Sequence, residues 1–360
     1  MILLYDARRY IRMVLSKLQI TNFRNFSSSS FEFSPNLTLI IGENARGKTS
    51  LLEAVYASVY GTGFRESREI ELILWDQDDC IVDGQFIDGD VKQRFQVQLL
   101  KTGETRVQKK FYVNKTIKSA LQYRKNQMQA VLFAPEQIRI ITGSPSRKRR
   151  YFDTVISSVD HAYKKSLRSY ENALRRRNKV LEIYQNESDA LRELSYWNAL
   201  VVEHGMELTK KRASYIQFLN DHPHVEGKEF RIEYHPNHIS MLVLSDVLSK
   251  ELRFRRTLVG PQKDDFEIFL KGKQHNNVSL YGSRSEQRMA VFWLKLNELK
   301  LFEKDSKEKP LLLLDDIFSE LDDHNRELVM KMIKDHQTIA TTTEEDIQKI
   351  VQIPEVIIEL

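Results

Sequence analysis

Residues 36–50 of the chain read Asn36-Leu37-Thr38-Leu39-Ile40-Ile41-Gly42-Glu43-Asn44-Ala45-Arg46-Gly47-Lys48-Thr49-Ser50, an apolar run that breaks at a loop with glycine at both ends. The apolar run predicts a buried strand, and the next residues, Leu51 to Val55, have the spacing of a helix. The loop matches the phosphate-binding pattern Gly-x-x-x-x-Gly-Lys-Thr in the strand–loop–helix context that this pattern requires. We therefore predict that the chain binds a nucleoside triphosphate, in preference to the alternative of an ordinary glycine-rich turn.

The residue types of this loop predict the role of each position. Gly42 and Gly47 allow backbone N–H groups to turn inward around the phosphates, and the start of the following helix adds unpaired donors and partial positive charge. Lys48 is expected to reach the β- and γ-phosphates, and the hydroxyl of Thr49 to bind Mg²⁺. The predicted nucleotide contacts of the loop are Gly42, Glu43, Asn44, Ala45, Arg46, Gly47, Lys48, Thr49 and Ser50.

A second apolar run, Pro310-Leu311-Leu312-Leu313-Leu314, ends in two carboxylates, Asp315 and Asp316. Open α/β sheets place ligand-binding groups at the carboxyl ends of their strands. We predict that Asp315 binds Mg²⁺ together with Thr49, and that Asp316 orients or deprotonates the attacking water. The predicted catalytic residues are Asp316, Asp315 and Lys48. Four leucines before two acids also describe a plain buried strand, so this interpretation depends on the phosphate-binding loop.

The segment Leu280-Tyr281-Gly282-Ser283-Arg284-Ser285-Glu286-Gln287-Arg288 opens a predicted helix and contains the spacing Ser-x-x-x-Gln. Together with the two motifs above and Ser319-Glu320-Leu321-Asp322, it resembles the signature of an ABC-type ATPase. Such ATPases work as head-to-tail dimers, and a helix start suits this role because its N–H groups and dipole attract phosphate. The resemblance implies that one subunit caps the nucleotide of the other through Ser283, Arg284 and Gln287.

The signature segment also has a simpler interpretation. Ser283 and Glu286 have the spacing of a capping box, which any helix can use. In addition, Ser285 stands where the signature normally has glycine, so we expect the backbone to approach a facing phosphate less closely. We therefore expect a weakened signature that still caps the nucleotide.

The rest of the chain predicts an α/β domain that is interrupted by a helical insertion. Alternating apolar residues predict antiparallel strands at Cys80–Phe86, Gln93–Leu99 and Val107–Val113. From Arg147 to about Arg212, glycine and proline almost disappear and the apolar residues take helical spacing. We predict an N-terminal extension over 1–12, ATPase lobe I over 13–144 and 257–360, and helical lobe II over 145–256.

Several sequence blocks are similar, in this order, to the bacterial RecF family, and the resemblance runs from about Leu15 onward. The blocks are Leu18–Phe26, Gly42–Thr49, Phe133–Glu136, Gly143–Ser146 with Arg149–Asp153, Gly260–Gln262 with Asp264-Asp265, Gln287-Arg288, Leu314–Asp322 and Thr341–Thr343. One departure is Gln262-Lys263, where a His-Arg pair is more usual, and we assign these two side chains no role.

The resemblance implies an α/β fold of the ABC/SMC-like P-loop ATPase head, with an antiparallel subdomain, an inserted helical lobe and no long coiled coil. It implies ATP and Mg²⁺ as cofactors, an ATP-dependent homodimer, and slow, DNA-stimulated ATP hydrolysis. It also implies binding to double-stranded and gapped DNA during DNA replication, recombination, repair and the SOS response. The implied partners are RecR and RecO, with which such a protein helps to load RecA at single-strand gaps.

Transporter-type ABC ATPases place a switch histidine after the strand that follows the acidic motif. At that position this chain has Thr341, Thr342 and Thr343. His336 precedes the strand, and we predict that it lies on the surface.

Basic residues recur within or near the predicted helical insertion. The clusters are Lys109-Lys110, Arg147–Arg150, Arg175–Arg177, Lys210–Arg212, and Arg253 with Arg255-Arg256. Each cluster alone is better explained as a solvated face, but their recurrence favours a surface that binds the phosphates of duplex DNA without sequence preference. The candidate DNA contacts are Lys109, Lys110, Arg175, Arg176 and Arg177.

Composition is compatible with this function. The chain has 360 residues, 41% of them hydrophobic, and a net charge of +5 that permits an anionic partner. No apolar run approaches the ~18 residues of a membrane span. The single cysteine, Cys80, fits a reducing compartment, so we expect a cytoplasmic protein with no membrane partner.

Three other classes with a phosphate loop are alternatives. The ATPase subunit of a defence or nuclease system has the same head but usually carries an appended acidic metal-binding domain, for which we expect no room before Leu360. A structural SMC protein needs a long arm, whereas the longest helix predicted from this sequence, about 30 residues, spans only about 45 Å. A small-molecule kinase should lack the signature and Ser319-Glu320-Leu321-Asp322.

Overall fold

In a computed structural model of the chain, the described residues are 13–65, 68–125, 128–184, 186–272, 277–305, 309–317, 323–343 and 354–360. The chain divides into two compact units, Met1–Pro135 with Leu299–Leu360, and Glu136–Glu298. The helical segment that we predicted over 145–256 falls inside the second unit, which extends further at both ends. Residues 257–298, which we placed in lobe I, belong to this second unit, and the predicted extension 1–12 lies outside the described residues.

Strands dominate the beginning of the chain, and long helices dominate its middle. The first part contains β1 (Val14–Phe23), β2 (Phe26–Glu32), β3 (Leu37–Ile41), α1 (Lys48–Tyr60), β4 (Asp79–Asp88), β5 (Val91–Lys101), β6 (Val107–Val113), β7 (Thr116–Lys118), α2 (Ala120–Lys125) and β8 (Ala130–Phe133). The middle part contains α3 (Arg139–Thr142), α4 (Pro145–Val159), α5 (His161–Ile183), α6 (Glu187–Asn220), β9 (His224–Val225), β10 (Lys228–His235), α7 (Met241–Phe254), β11 (Asp265–Leu270), α8 (Val278–Tyr281) and α9 (Arg284–Asp305). The last part contains β12 (Leu311–Asp315), α10 (Asp323–Asp335), β13 (Thr338–Thr342) and β14 (Val356–Glu359).

The first unit contains a parallel sheet of five described strands in the order β14-β3-β13-β12-β8. Every residue of β3, β8, β12 and β13 is buried. The strands predicted before Gly42 and at Leu311–Leu314 are therefore confirmed as β3 and β12. Their continuous apolar runs suit strands that are covered on both faces. Because the strands are parallel, the carboxyl ends of β3 and β12 lie at the same edge of the sheet.

The other sheet of the first unit is antiparallel, with the strand order β2-β1-β4-β5-β6-β7. The strands predicted between Cys80 and Val113 are confirmed as parts of β4, β5 and β6. Leu51 and Leu52 of α1 share one hydrophobic core with Phe95 of β5 and with Leu311 and Leu313 of β12. This common core fixes the helix that follows the phosphate loop.

The second unit combines helices with a small antiparallel sheet in the order β11-β10-β9. The helical character predicted from Arg147 to about Arg212 is confirmed, and the two longest helices of this segment, α5 and α6, pack against each other. Strand β10 pairs with β11 from Phe230 opposite Leu270 to His235 opposite Asp265. The pairing joins β11, which lies beyond residue 256, to the helical segment. The second unit therefore extends past the end that we predicted for lobe II. None of the described helices combines the length and apolar composition needed to cross a bilayer.

Candidate functional site

The phosphate loop joins β3 to α1, which begins at Lys48. The φ angles of its two glycines are +150° at Gly42 and +112° at Gly47. A Cβ atom at Gly42 would lie 2.6 Å from the backbone oxygen of Leu360, and one at Gly47 would lie 2.6 Å from Nδ2 of Asn25. Glycine is therefore favoured at both positions by the backbone conformation and by the neighbouring atoms.

The other residues of the loop face solvent or enter the helix. Glu43, Asn44, Ala45 and Arg46 are exposed, and Ala45 has a positive φ of 69°. Ser50, the third residue of α1, is buried. The loop is therefore accessible from solvent, as the binding of a phosphate requires.

The Lys48 side chain folds back over the loop. Its ammonium donates hydrogen bonds to the backbone oxygens of Gly42 at 2.6 Å and Glu43 at 3.0 Å. The residue is only 8% exposed, so the ammonium depends on these acceptors. A positive charge is thus held at the start of α1, where the helix dipole also favours an anion.

Thr49 and Asp315 meet at the edge of the parallel sheet although most of the chain separates them. The Thr49 hydroxyl donates to Oδ1 of Asp315 at 3.0 Å. The hydroxyl of Thr341, at the end of β13, donates to the same oxygen at 2.8 Å. Hydroxyl and carboxylate oxygens are the ligand types that Mg²⁺ prefers, so this pair fits the predicted metal ion.

Asp316 follows Asp315 in an unusual backbone conformation. Its φ is +48°, a region that few residues other than glycine occupy, and its N–H donates to Oγ1 of Thr341 at 2.9 Å. Backbone strain of this kind is concentrated at functional sites. Sequence reasoning missed the part played by Thr341, which binds both acidic residues, and the only signal for it was the threonine run at the end of a strand.

The start of α9 forms the capping box that was the simpler interpretation of the signature. The Ser283 N–H and hydroxyl donate to Oε2 of Glu286 at 2.9 and 3.1 Å, and the Glu286 N–H donates to the Ser283 hydroxyl at 3.3 Å. Ser283, Arg284 and Ser285 are nevertheless exposed. Gln287 is buried, and its Nε2 donates to the Val278 oxygen at 3.4 Å. The fourth motif, Ser319-Glu320-Leu321-Asp322, lies outside the described residues.

The candidate DNA contacts differ in their exposure and in the partners that they already have. Arg175 and Arg176 are exposed and Lys110 is half-buried. Lys109 forms an ion pair with Glu69 and donates to the Gly61 oxygen at 2.9 Å. These positions remain candidates, although Lys109 already has a partner.

The prediction that Arg177 contacts DNA is wrong. Its side chain is fully buried and pairs with Glu251 at 2.5 Å. It also donates to Asn198 at 2.8 Å and to Thr257 at 2.7 Å. A guanidinium with three buried partners holds α5, α6 and α7 together and is not accessible to a phosphate.

Arg212, in another of the basic clusters, is also buried. It donates to the carboxylates of Asp153 at 2.8 Å and Asp264 at 2.7 Å. Asp264 is completely buried and accepts further hydrogen bonds from the Tyr234 hydroxyl at 2.5 Å and the Asn237 N–H at 2.7 Å. The Gly260–Asp265 block therefore supplies the centre of a polar network inside the second unit, which sequence reasoning did not predict.

Comparison with known proteins agrees with this fold. The chain matches the family model of the RecF/RecN/SMC N terminal domain over residues 14–357. It is 32% identical over 356 residues to the DNA replication and repair protein RecF of Bacillus cereus strain AH820, and the alignment covers 93% of each chain.

Solved structures show the same similarity. The recombination mediator protein RecF-ATP in the RecFOR pathway has a TM-score of 0.86 and 30% identity, with 94% of both chains covered. The Smc head domain of Pyrococcus yayanosii has a TM-score of 0.55 and 14% identity over 96% of this chain and 95% of that chain, so it shares the fold alone. The predicted ABC/SMC-like ATPase head is thereby confirmed, and the chain belongs to the RecF family of SMC-like proteins.

Proposed function

We propose that the chain is an ATP-dependent DNA-binding protein of recombinational repair. It binds ATP, dimerises on the nucleotide, binds duplex and gapped DNA, and ends each cycle by slow hydrolysis. The observation that carries this proposal is the 3.0 Å approach of Thr49 to Asp315, at the same sheet edge as the phosphate loop. The similar RecF-ATP protein of the RecFOR pathway supports ATP as the nucleotide, and RecO and RecR as partners. We add RecA as the protein that these partners help to load, which the family resemblance implies.

Thr49 and Asp315 are the residues that would hold Mg²⁺. The Asp315 carboxylate is 3% exposed and is held in place by Thr341, so its position is fixed before the ion binds. When bound, Mg²⁺ neutralises charge on the phosphates.

Lys48 and Asp316 perform the remaining steps. Lys48 exchanges the two loop carbonyls for phosphate oxygens, which form stronger, charge-assisted hydrogen bonds. The Asp316 carboxylate accepts a proton from the attacking water, and its backbone is held by the bond to Thr341.

The start of α9 supplies the contact between subunits. Ser283 and Arg284 are exposed and offer a hydroxyl and a guanidinium to the nucleotide of a second copy. We predicted that Gln287 contacts this nucleotide directly, but the residue is buried, so we propose that it acts indirectly by holding α8 through the Val278 oxygen.

Light scattering on the wild type and on Lys48→Met tests the proposal. We expect ATP to double the mass of the wild type and to tighten its binding to a gapped duplex. Lys48→Met should bind ATP at least about 100-fold more weakly, since it removes a charged phosphate contact made by a side chain that is only 8% exposed. The variant should therefore remain a monomer. A wild type whose mass and DNA affinity are indifferent to ATP would overturn the proposal.

Ser283→Phe tests the subunit contact separately. We expect this variant to bind ATP as a monomer with wild-type affinity but to form no ATP-induced dimer, because the ring blocks the facing phosphate. The change also removes a helix cap worth about 1 kcal/mol. Glu286→Ala is the matched control, because it breaks the same capping box at a buried position. If Glu286→Ala abolishes the dimer as fully as Ser283→Phe does, the cap and not the contact is responsible.

A further inference from the structure

We propose that Glu233, His235 and Glu267, on the hairpin of β10 and β11, form a binding site for a divalent transition-metal ion such as Zn²⁺. The three side chains each offer one ligand atom, and these atoms all lie within 4.8 Å of one another. The site lies in the second unit and is built without any residue of the phosphate loop. It therefore goes beyond the proposed function and does not depend on it.

The strand pairing places the three ligands on one face of the sheet. Glu233 lies directly opposite Glu267 in the register of the hairpin, and His235 is two residues further along β10. Residues two apart on a strand share a face, and directly opposed residues have Cβ atoms about 5 Å apart. Backbone hydrogen bonds thus hold the ligands at a spacing that one ion can bridge.

Neighbouring side chains orient the two carboxylates. Asn277 donates to Oε1 of Glu267 at 2.9 Å, while Oε2 of the same group lies 2.8 Å from Nε2 of His235. Arg231 forms an ion pair with Oε1 of Glu233. Each carboxylate therefore has one oxygen in contact with an outer donor, and such outer contacts fix the ligands of metal sites.

The donor set selects the class of ion. One imidazole nitrogen and two carboxylate oxygens suit Zn²⁺ and its first-row neighbours, and three protein ligands leave a further position for water. Mg²⁺ prefers oxygen ligands alone and retains its waters, so the Mg²⁺ that accompanies ATP should not compete. The His235 side chain is 49% exposed and both glutamates are 37% exposed, so an ion can enter directly from solvent.

A neighbouring histidine shows how this cluster differs from an ordinary surface pair. His224 lies 3.7 Å from Glu229 on the same sheet and is 72% exposed. Among the described residues, the only group of three metal-ligating side chains is Glu233, His235 and Glu267, so His224 has no second carboxylate to complete a site. His224→Ala is therefore a matched control for His235→Ala.

Zn²⁺ titration of the full chain, prepared without a histidine tag and in excess Mg²⁺, tests the proposal by calorimetry. We expect a saturable site in the wild type and in His224→Ala that is lost in His235→Ala. Glu267→Gln should weaken binding at least 10-fold, and Asn277→Ala by about 10-fold through the outer contact. Co²⁺ should give visible absorption bands that change in the same variants. Circular dichroism checks that each variant is folded.

Equal Zn²⁺ binding by the wild type, His235→Ala and Glu267→Gln would overturn the proposal. The proposal would also be overturned if His224→Ala lost as much Zn²⁺ binding as His235→Ala. Zn²⁺ would then bind to surface histidines in general and not to this cluster. Because both Glu267→Gln and Glu233→Gln keep the size of the side chain, either variant replaces His235→Ala if the latter fails to fold.

Discussion

Arg212→Met is expected to lower the urea midpoint of unfolding of the second unit by on the order of 2 M. Arg212 is 3% exposed and pairs with Asp153 and Asp264, of which Asp264 is fully buried. Burial alone would lower the pKa of the guanidinium, but Asp153, Tyr163 and Asp264 raise it above its usual range, so the group is charged at every accessible pH. Removing it leaves two carboxylates without their cation, and breaking a buried pair in this way costs about 3–5 kcal/mol.

In a Trp75→Phe background, which removes the tryptophan of the first unit, fluorescence reports this transition from within the second unit, where Trp293 is placed in the core. Its ring is fully buried, stacks on Phe230 and donates to the His222 oxygen at 2.7 Å. Lys211→Met is the matched control, because the neighbouring Lys211 pairs with Asp160 at a more exposed position. We expect the free energy of unfolding of this control to fall by less than about 1 kcal/mol. Equal midpoints for the two variants would show that the Asp264 network does not stabilise the unit.

The basic clusters show what the sequence could not reveal. Successive residues of a helix point in directions about 100° apart, so a run of three cations cannot stay on one face. Arg175 and Arg176 are accordingly exposed while Arg177 is buried, and Lys210 is exposed while Arg212 is buried. The acidic partners, Glu251 and Asp264, come from distant parts of the chain. A count of cations therefore overestimated the basic surface that is exposed to solvent.

The geometry of the candidate nucleotide site was predictable because it follows from local rules. The glycine pattern sets the backbone of the loop, and parallel strands bring Thr49 and Asp315 to one edge. Features that depend on pairing between distant segments were missed. The pairing of β10 with β11 joins residues 265–270 to the second unit. The prediction of a surface position for His336 is wrong. That ring is 3% exposed, because it contacts the Met332 oxygen at 2.8 Å and Glu303 at 2.9 Å.

Asp316→Asn is expected to keep ATP binding and to lower the rate of hydrolysis by at least about 100-fold, since a general base contributes that much or more. The amide has the shape of the carboxylate but cannot accept the proton of the attacking water. Asparagine also tolerates the positive φ of 48° at this position better than most residues, so the backbone bond to Thr341 should persist. With hydrolysis blocked, the ATP-induced dimer should remain closed and stay on DNA longer.

Phosphate release and light scattering in the presence of ATP measure these two effects on the same samples. Asp315→Asn is the matched control, because it changes the neighbouring carboxylate, to which Thr49 and Thr341 donate. The control should weaken binding of ATP in the presence of Mg²⁺, whereas Asp316→Asn should leave that affinity unchanged. These results would assign different roles to the two acids: Asp315 would hold the complex of ATP and Mg²⁺, and Asp316 would act on the attacking water. Hydrolysis by Asp316→Asn at the wild-type rate would show that another group activates the water.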